Sequence, residues 1–593
     1  MKLSDYVASF LAKQGIKHVF VITGGASAHL IDSIAKTNGI EYICPQHEQA
    51  GAMAADAYAR VTGNLGAAIA TSGPGATNML TGVCCSFYDS IPSLYITGQV
   101  STFRSKGNIG IRQLGFQETD TIAIFKPVTK YAVKIDSPCK IRYELEKAVF
   151  IARSGRPGPV LIDIPDNLQR ADVKPGLLKP FVPGKNEINT RKLDRKIEKC
   201  LELIGESKRP VVILGWGVYL AGAQNEAMTF VEKSGLPVAP TWAMRYLLPA
   251  NHPQLIGPFG THGTRYGNFA IQNADLVISI GARLDTRQAG SPHSTFARGA
   301  KKIVVDIDVC ELEKFKNLGM KIDLKVCSDA KDFFHHLNKK IVEIKLPDIS
   351  IWKKKIEELK EKYPICRNEY FRERDVNPYV FIKKLSEKMS PGDVIFSDTG
   401  CSVAWLLQAF EFKKGQKLFS AFNNTPMGYA LPASIGASFA IAGKPVICIT
   451  GDGGLQMNIQ ELATVVKHKL PIKIFLFNNY GYSMIRQTQD QWFNSRYEAS
   501  TVASGLAFPN FIKVAKAYGY KTVKISRAKD VCKGIEKTLS AKGPVLCDIR
   551  IRPEHGVIPQ VKFGRAIEDG EPLLNRKDFL DCMIVSPHKA SLQ

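Results

Sequence analysis

Short apolar runs alternate along the chain with longer segments whose apolar residues recur at helical spacing. The runs that have the length of buried strands are residues 18–22, 67–70, 210–215, 276–280, 302–308, 447–450 and 472–477. Segments between them, such as residues 458–467, have the period of helices. This alternation predicts an α/β fold class in which helices connect the strands of parallel sheets.

The apolar runs fall into three groups, which predict three doubly wound parallel-sheet domains. The predicted domains are residues 1–172, 190–345 and 377–555, with residues 556–593 as a less regular tail that covers a site or packs at an interface. Residues 173–189 are rich in Pro, Gly and Lys and are predicted to form a linker. The first and third domains are predicted to be distant versions of one architecture.

Composition agrees with a large soluble enzyme of three or four domains, since 45% of the 593 residues are hydrophobic. No apolar run approaches the roughly 20 residues that span a bilayer. Residues 1–14 have the pattern of a folded helix with Ser4 as its N-cap, so the sequence predicts neither secretion nor organelle import. The 13 cysteines are scattered, which is typical of buried thiols in a reducing compartment, and a cytoplasmic location is predicted.

The formal charge of +24 raises the alternative of a basic nucleic-acid-binding protein. The lysines, however, are spread through the chain in short groups such as residues 353–355. A solvated, charged surface is the preferred interpretation, because the chain also carries the chemical motifs described next.

Two neighbouring strands are each predicted to end at polar residues that suit a metal and a diphosphate. The sequence Gly-Asp-Gly-Gly at residues 451–454 follows the strand at 447–450, and Asn479 follows the strand at 472–477. Glycine turns let backbone amides approach a diphosphate, and Asp452 and Asn479 offer the oxygen ligands that Mg²⁺ prefers. Because ligands bind beyond the carboxyl ends of parallel strands, one divided metal-diphosphate site is predicted.

A second candidate functional residue is Glu48, which lies just beyond a predicted strand and at the start of an Ala-rich helix. An acid in the first turn of a helix also simply complements the helix dipole. His47, beside it, is interpreted as a positioning or packing residue.

These motifs resemble those of thiamine diphosphate enzymes, and the whole pattern resembles the acetolactate synthase (acetohydroxyacid synthase) family. The matching stretches are residues 71–78, 89–92, 96–99, 116–120, 155–160, 281–287, 427–432 and 496–497. The resemblance covers most of the chain. It implies a pyrimidine-binding first domain, a central domain and a diphosphate-binding third domain.

The resemblance also implies roles for individual residues. Glu48 would lie against the cofactor's pyrimidine ring, where a shared proton favours the imino form that removes the C2 proton. Gln117 would contact the reacting intermediate, and Arg287 would hold the carboxylate of the second keto acid. The residues implied to bind thiamine diphosphate are Glu48, Gly400, Ser402, Met427, Gly428, Gly453 and Gly454, and those implied to ligate Mg²⁺ are Asp452, Asn479 and the Gly481 carbonyl.

The implied reaction is that of a carboligase, which decarboxylates pyruvate and joins its acyl unit to a second 2-oxo acid through a thiamine diphosphate enamine. In the family the site forms between two chains, so a homodimer or homotetramer is expected. A regulatory subunit and a role in branched-chain amino acid biosynthesis are left open. Residues 281–283 and 306–308 resemble the region that holds FAD, although a packed domain without flavin has the same sequence pattern.

Four departures from the family pattern leave the identity of the acceptor substrate open. Asp166 stands where the family has lysine, Thr261 where it has methionine, and Thr488 where it has a tryptophan associated with the larger acceptor. Residues 400–405 lack the usual Gln and His, for which Ser402 and backbone amides could substitute. The alternative is a related decarboxylase or carboligase in sugar or surface-polysaccharide biosynthesis.

Overall fold

Three parallel sheets organise the chain in the computed structural model, which describes residues 1–184 and 190–592. The predicted α/β class with three doubly wound parallel-sheet domains is confirmed. Residues 185–189 of the predicted linker, and the last residue of the predicted tail, lie outside the described residues.

The first sheet contains six strands in the order β2-β1-β3-β4-β6-β5. The strands are β1 His18–Val21, β2 Glu41–Ile43, β3 Gly66–Ala70, β4 Ser93–Gln99, β5 Tyr131–Lys134 and β6 Val160–Pro165. The helices are α1 Leu3–Lys13, α2 Ala28–Lys36, α3 Glu48–Thr62, α4 Pro74–Asn78, α5 Leu80–Tyr88, α6 Thr121–Phe125, α7 Ile141–Arg153 and α8 Asp166–Gln169. Strands β3, β4 and β6 are buried throughout, because helices cover both faces of the sheet.

The second sheet has four strands in the order β10-β9-β8-β7. The strands are β7 Pro210–Leu214, β8 Leu276–Ile280, β9 Lys301–Asp306 and β10 Leu324–Cys327. The helices are α9 Thr190–Glu206, α10 Trp216–Leu220, α11 Gln224–Ser234, α12 Arg265–Asn273, α13 Thr286–Ala289, α14 Val309–Glu313, α15 Ala330–Lys340 and α16 Ser350–Lys362. Because all four strands run parallel, their carboxyl ends share one edge of the sheet.

The third sheet has the order β12-β11-β13-β14-β16-β15, which repeats the strand order of the first sheet. The strands are β11 Val394–Ser397, β12 Lys417–Phe419, β13 Val446–Gly451, β14 Ile472–Asn478, β15 Lys521–Ile525 and β16 Val545–Arg550. The helices are α17 Pro378–Lys388, α18 Cys401–Ala409, α19 Ala430–Ala440, α20 Asp452–Met457, α21 Leu462–Lys467, α22 Ser483–Phe493, α23 Phe511–Ala517, α24 Val531–Ser540 and α25 Arg576–Asp581, the last of which lies in the tail. The shared order agrees with the prediction that these two domains are versions of one architecture.

Helix α3 packs closely between the first and third domains. A β-carbon added at Gly66, Gly82 or Gly436 would overlap Ala55, Ala52 or Ala54 of this helix, respectively. The helix begins after His47, whose ring accepts a hydrogen bond from the Gln49 amide at 3.1 Å, and ends at Gly63 in the left-handed conformation. Small residues on both sides therefore define where α3, and Glu48 at its start, can lie.

Two local predictions are wrong. Helix α1 begins at Leu3 with Lys2 as its N-cap, and Ser4 lies buried inside the helix, bonded to the Ser33 hydroxyl at 2.8 Å. The helix predicted at residues 458–467 is instead a 3-10 turn at Ile459–Glu461 followed by α21, and a separate helix, α20, precedes them at Asp452–Met457. The Gly-Asp-Gly-Gly sequence therefore forms the first turn of a helix as well as the end of a strand.

All 13 cysteines are unpaired, but only six are buried and five are exposed, so the prediction of buried thiols is wrong for the exposed ones. Within the two described ranges, no helix combines the length and the apolar character needed to cross a membrane. The tail crosses from the third domain to the second, since Trp405 donates to the Gly556 carbonyl at 2.9 Å and Val561 donates to the Thr261 carbonyl at 2.8 Å.

Candidate active site

The Asp452 carboxylate joins the two strand ends that were predicted to form one site. Its Oδ1 accepts from the Gly453 amide at 2.7 Å, and its Oδ2 accepts from the amides of Asn479 and Gly481 at 3.1 and 3.2 Å. The side chain is buried, with 3% of its surface exposed. Strands β13 and β14 are adjacent and parallel, so these bonds follow directly from the sheet.

Burial raises the pKa of Asp452 to about 6, against the lowering effect of the backbone amides of Gly453, Gly481, Asn479 and Tyr480. None of the described ion pairs gives this carboxylate a cationic side chain. A bound cation would therefore favour the ionised form and relieve the cost of burying it.

Asn479 and Gly481, whose backbone amides contact Asp452, are the other two predicted metal ligands. The Asn479 side-chain amide donates to the Ser483 hydroxyl, which directs the nitrogen away and leaves the amide oxygen as an acceptor. Across the described residues, no group of three or more His, Cys, Asp or Glu side chains could hold a metal. The set is one carboxylate, one amide oxygen and one backbone carbonyl, which is a Mg²⁺ site only if phosphate oxygens and water complete it.

Asp398 is a functional candidate that the sequence reasoning missed. It follows β11 directly, is 2% exposed, and accepts from the Thr399 and Gly428 amides at 3.0 Å and from the Thr450 hydroxyl at 2.9 Å. Burial raises its pKa to about 6, against these hydrogen bonds. Its signal is the one that revealed Asp452: a carboxylate immediately after a buried strand.

Gly400 and Ser402 lie in the turn that Asp398 supports. Gly400 has φ of 82° and precedes α18, a backbone conformation that favours glycine. The Ser402 hydroxyl donates to the Thr399 carbonyl at 2.9 Å. Ser402 therefore stabilises the turn from inside, and its contact with a diphosphate stays a prediction.

Met427 and Gly428 lie beside the Gly-Asp-Gly-Gly turn. A β-carbon at Gly453 would lie 2.7 Å from the Met427 methyl and would overlap the Tyr482 ring. A β-carbon at Gly454 would overlap the Asp398 carboxylate. The two glycines are therefore required for Met427 and Asp398 to approach the turn.

Glu48 lies in a second group of residues, which belongs to the first domain. Its Oε2 accepts from the Asn78 amide at 2.9 Å, and its Oε1 lies 3.5 Å from where a β-carbon at Gly75 would be. The buried Glu461, which the sequence reasoning also missed, accepts from the Gln46 amide at 2.9 Å. The third domain thus holds the turn that leads into Glu48, although no sequence signal separates Glu461 from a surface acid.

Gln117 lies close to the Glu48 group and has a strained backbone. Its φ is 62°, and a β-carbon at Gly73 would lie 3.0 Å from the Gln117 β-carbon. The next residue, Glu118, is 9% exposed and accepts from the Ser105 hydroxyl at 2.7 Å and the Lys106 amide at 2.8 Å. Burial alone would raise the pKa of Glu118, but these bonds and those from the amides of residues 114–115 bring it to about 2.

Arg287 belongs to a third group, in the central domain. Its guanidinium lies 5.5 Å from the Trp242 ring centre, and its carbonyl accepts from the Thr261 amide at 2.8 Å. In the described parts of the chain, no hydrogen bond or ion pair connects Arg287 to Glu48 or Asp452. The predicted site residues therefore form three groups that no described polar contact joins directly.

A cavity of about 300 Å³ lies at the carboxyl ends of the central strands. Its lining includes Trp216 after β7, residues 281–283 after β8 and Asp306 at the end of β9, together with Arg156 from the first domain. A β-carbon at Gly217 would lie 2.8 Å from the Gly281 α-carbon, so the two loops need glycine to pack against each other. One Arg283 guanidinium nitrogen is buried without a hydrogen-bond partner in the described chain.

Three of the four departures from the family pattern, Asp166, Thr261 and Thr488, also have defined surroundings. Asp166 accepts from the Ser101 hydroxyl, Thr488 donates to the Met484 carbonyl at 3.0 Å, and Thr261 lies directly against the backbone of Arg287. The Asp166 carboxylate is therefore engaged within its own domain.

Comparison with known proteins identifies the class to which this fold and site belong. Three family descriptions match: "Thiamine pyrophosphate enzyme, N-terminal TPP binding domain" over residues 1–124, the central domain over residues 197–337, and the C-terminal TPP binding domain over residues 398–549. The three matches correspond to the three parallel sheets. Thiamine pyrophosphate is another name for thiamine diphosphate.

Similar curated proteins narrow the class further. The chain is 34% identical over 576 residues to the probable acetolactate synthase large subunit of Methanocaldococcus jannaschii, covering 95% of this chain and 94% of that protein. It is 33% identical over 565 residues to the acetolactate synthase large subunit of Lactococcus lactis, covering 95% and 94%. It is 33% identical over 581 residues to acetolactate synthase 2 of Nicotiana tabacum, covering 96% and 85%. The chain belongs to the thiamine pyrophosphate enzymes and, within them, to the acetolactate synthase family.

Proposed function

We propose that the protein uses thiamine diphosphate and Mg²⁺ to decarboxylate pyruvate and to join the acyl unit to a second 2-oxo acid. The observation that carries the proposal is the Asp452 carboxylate, which accepts hydrogen bonds from the amides of Asn479 and Gly481 and so unites two strand ends. Nearly full-length similarity to proteins named acetolactate synthases supports the same reaction.

The residues around Asp452 fit a magnesium ion and a diphosphate. Mg²⁺ in proteins is commonly bound by one or two carboxylates together with phosphate oxygens, and Asp452 is a buried carboxylate to which none of the described ion pairs gives a cationic partner. Asn479 and the Gly481 carbonyl would complete the protein ligands. The backbone amides near Gly400, Gly428, Gly453 and Gly454 would contact the diphosphate, and Ser402 would hold the turn.

Four other side chains would have separate roles at the site. Glu48 would hold a proton against the pyrimidine ring, and Met427 would support the bent cofactor from the side of Gly453. Gln117 would contact the reacting substrate, and Arg287 would orient the acceptor through its carboxylate. Thiamine diphosphate, when bound, supplies the electron sink that allows carbon dioxide to leave.

A second copy of the chain would complete the site, since no described polar contact within one chain joins Glu48, Asp452 and Arg287. Large apolar side chains are exposed in residues 103–116 beside Gln117 and on α22 beside Asn479: Phe103 is 68% exposed, Phe116 87% and Trp492 58%. Such surfaces are typical of interfaces. We therefore propose a homodimer or homotetramer. A regulatory subunit stays a prediction, which the large-subunit names of two relatives support. A cytoplasmic location also stays a prediction.

Purified protein incubated with pyruvate, thiamine diphosphate and Mg²⁺ is expected to form acetolactate and carbon dioxide. Two pyruvate ions and one proton from solvent give one acetolactate ion and one carbon dioxide, so no further reactant is needed. Product analysis by chromatography, with a chelator-treated sample as control, measures the reaction. Carbon dioxide without acetolactate, or no turnover of pyruvate, would contradict the proposed function.

A second candidate is the transfer of the acyl unit to a larger acceptor such as a ketosugar. The observation that favours it is the position of Thr261, a small hydroxyl residue whose amide donates to the Arg287 carbonyl at 2.8 Å. A small polar side chain beside the acceptor arginine leaves room for a hydroxylated substrate. Adding ketosugars to the same incubation distinguishes the two, since this candidate requires a sugar adduct in place of acetolactate.

We propose that the central cavity holds part of an FAD molecule, without using it for redox chemistry. The orphaned Arg283 nitrogen would pair with the diphosphate of FAD, and Asp306, at the strand end, would bind ribose hydroxyls. The visible absorption spectrum of the purified protein is expected to show flavin. Arg283→Ala is expected to reduce the flavin content of the protein while thiamine diphosphate still binds. A colourless wild-type preparation that does not take up added FAD would contradict the assignment.

A further inference from the structure

A buried charged network lies where the first domain meets the third. It consists of Asp56 and Arg60 of α3, Asp89 after α5, and Tyr429 before α19, and each is at most 3% exposed. Arg60 Nε lies 2.7 Å from Asp56 Oδ2, and Arg60 Nη2 lies 2.9 Å from Asp89 Oδ2. These four residues are called the Arg60 network below. Because burying such charges is costly, every group in the network needs its partners.

The Arg60 network holds residues 420–429 at several separate points. Arg60 donates to the Ser420 carbonyl at 3.0 Å, and Tyr429 donates its hydroxyl to Asp56 Oδ2 at 2.5 Å. Asp89 accepts from the Phe422 amide at 2.9 Å and from the Asn423 side chain at 2.6 Å. This segment contains Met427 and Gly428, so its position determines where Met427 lies above Gly453.

The Arg60 network is also connected to Glu48, because two of its residues lie on α3, the helix that begins at Glu48. Asp56 lies two turns further along α3, and its Oδ1 accepts from the Ser86 hydroxyl at 2.9 Å, which orients the carboxylate from the side opposite Tyr429. At the end of the segment, Asp398 accepts from the Gly428 amide at 3.0 Å. A continuous set of buried polar contacts thus runs from α3, through the Met427 segment, to the turn that contains Asp452.

We propose that the Arg60 network is a set of positioning residues for the cofactor site, acting by fixing Met427 relative to Gly453. Without the Tyr429 hydroxyl, Asp56 would lose one partner, and the segment would lose the Arg60-network attachment that lies nearest Met427. The proposal rests on the proposed function in one respect, namely that Met427 supports thiamine diphosphate. The four residues themselves need not touch the cofactor.

Tyr429→Phe in the full-length protein tests the proposal. The Kd for thiamine diphosphate, titrated calorimetrically with saturating Mg²⁺, is expected to rise by about three- to tenfold, since one hydrogen bond to a charged group is lost. The kcat with pyruvate is expected to fall with it, whereas the KM for pyruvate stays unchanged. A role limited to folding would lower the melting temperature of the cofactor-free protein without raising this Kd.

Tyr379→Phe provides a matched control. Tyr379 is a buried tyrosine of the third domain whose hydroxyl bonds the Gln408 side chain at 2.8 Å and the Ile558 carbonyl at 2.9 Å. No described hydrogen bond joins this hydroxyl to residues 420–429 or to the Arg60 network, so Tyr379→Phe is expected to lower the melting temperature while leaving the Kd unchanged. Equal Kd values for Tyr429→Phe, Tyr379→Phe and wild type would overturn the positioning role.

A second variant keeps the test decisive if Tyr429→Phe does not fold. Asn423→Ala removes an exposed side chain that bonds Asp89. It is expected to raise the Kd for thiamine diphosphate by only about twofold, because the other attachments remain. An unchanged Kd would count against the proposal. Failure of the wild-type protein to bind thiamine diphosphate would instead overturn the proposed cofactor site itself. The two failures are therefore distinguishable.

Discussion

Glu48→Gln is expected to slow turnover by about 10²- to 10⁴-fold while leaving the fold and cofactor binding largely intact. The substitution preserves the size of the side chain, and its oxygen can still accept from the Asn78 amide, which lies 2.9 Å from Glu48 Oε2. What is lost is the ionisable oxygen that would share a proton with the pyrimidine ring. The measurements are kcat/KM with pyruvate and the rate of C2 proton exchange in bound thiamine diphosphate.

Glu41→Gln is the control for this prediction. Glu41 is exposed at the start of β2, seven residues before Glu48, and lies outside the proposed site. Both quantities are expected to match wild type in this variant. Near-normal proton exchange in Glu48→Gln, with thiamine diphosphate bound, would show that a different group removes the proton.

Asp452→Ala is expected to weaken Mg²⁺-dependent binding of thiamine diphosphate by about 10²-fold or more. The change removes the proposed carboxylate ligand and also the acceptor for the amides of Gly453, Asn479 and Gly481. Hydrogen bonds to a charged group are each worth about 1.5–3 kcal/mol, and about 1.4 kcal/mol is a tenfold change in affinity. Titration with thiamine diphosphate at several Mg²⁺ concentrations measures the effect.

The control for Asp452→Ala is Asp393→Ala. Asp393 precedes β11 at the opposite, amino end of the third sheet, where its carboxylate accepts from the Ser390 amide at 2.7 Å. Its substitution is expected to leave the Mg²⁺ requirement unchanged. An Asp452→Ala protein with wild-type affinity for Mg²⁺ and cofactor would contradict the metal assignment.

The parts of the site that follow from strand order could be predicted from the sequence. Asp452 and Asn479 each follow a buried apolar strand, and parallel neighbours bring such ends together. Asp398 obeys the same rule after β11 and was detectable in the same way. Periodicity predicted the extent of β8 correctly and misplaced other strand ends by one or two residues.

The parts that depend on contacts between distant segments could not be predicted. Arg60 and Glu461 have the sequence pattern of charged positions on helix surfaces, yet both are buried by elements several hundred residues away. The break before α21 has a similar cause, since Asn458 leaves the helix to donate its side-chain amide to the Gly428 carbonyl at 2.8 Å. Tertiary packing determines these features, and a single sequence carries no periodic signal for them.

The close packing of α3 has a consequence for how this enzyme can diversify. Gly66, Gly82 and Gly436 leave no room for even one added carbon against the helix, so a mutation to alanine at any of them would displace the whole helix. Residues such as Thr261, in contrast, lie in loops where side-chain size can change without moving the helix. Substrate preference can therefore change during evolution while the residues around Glu48 keep their positions.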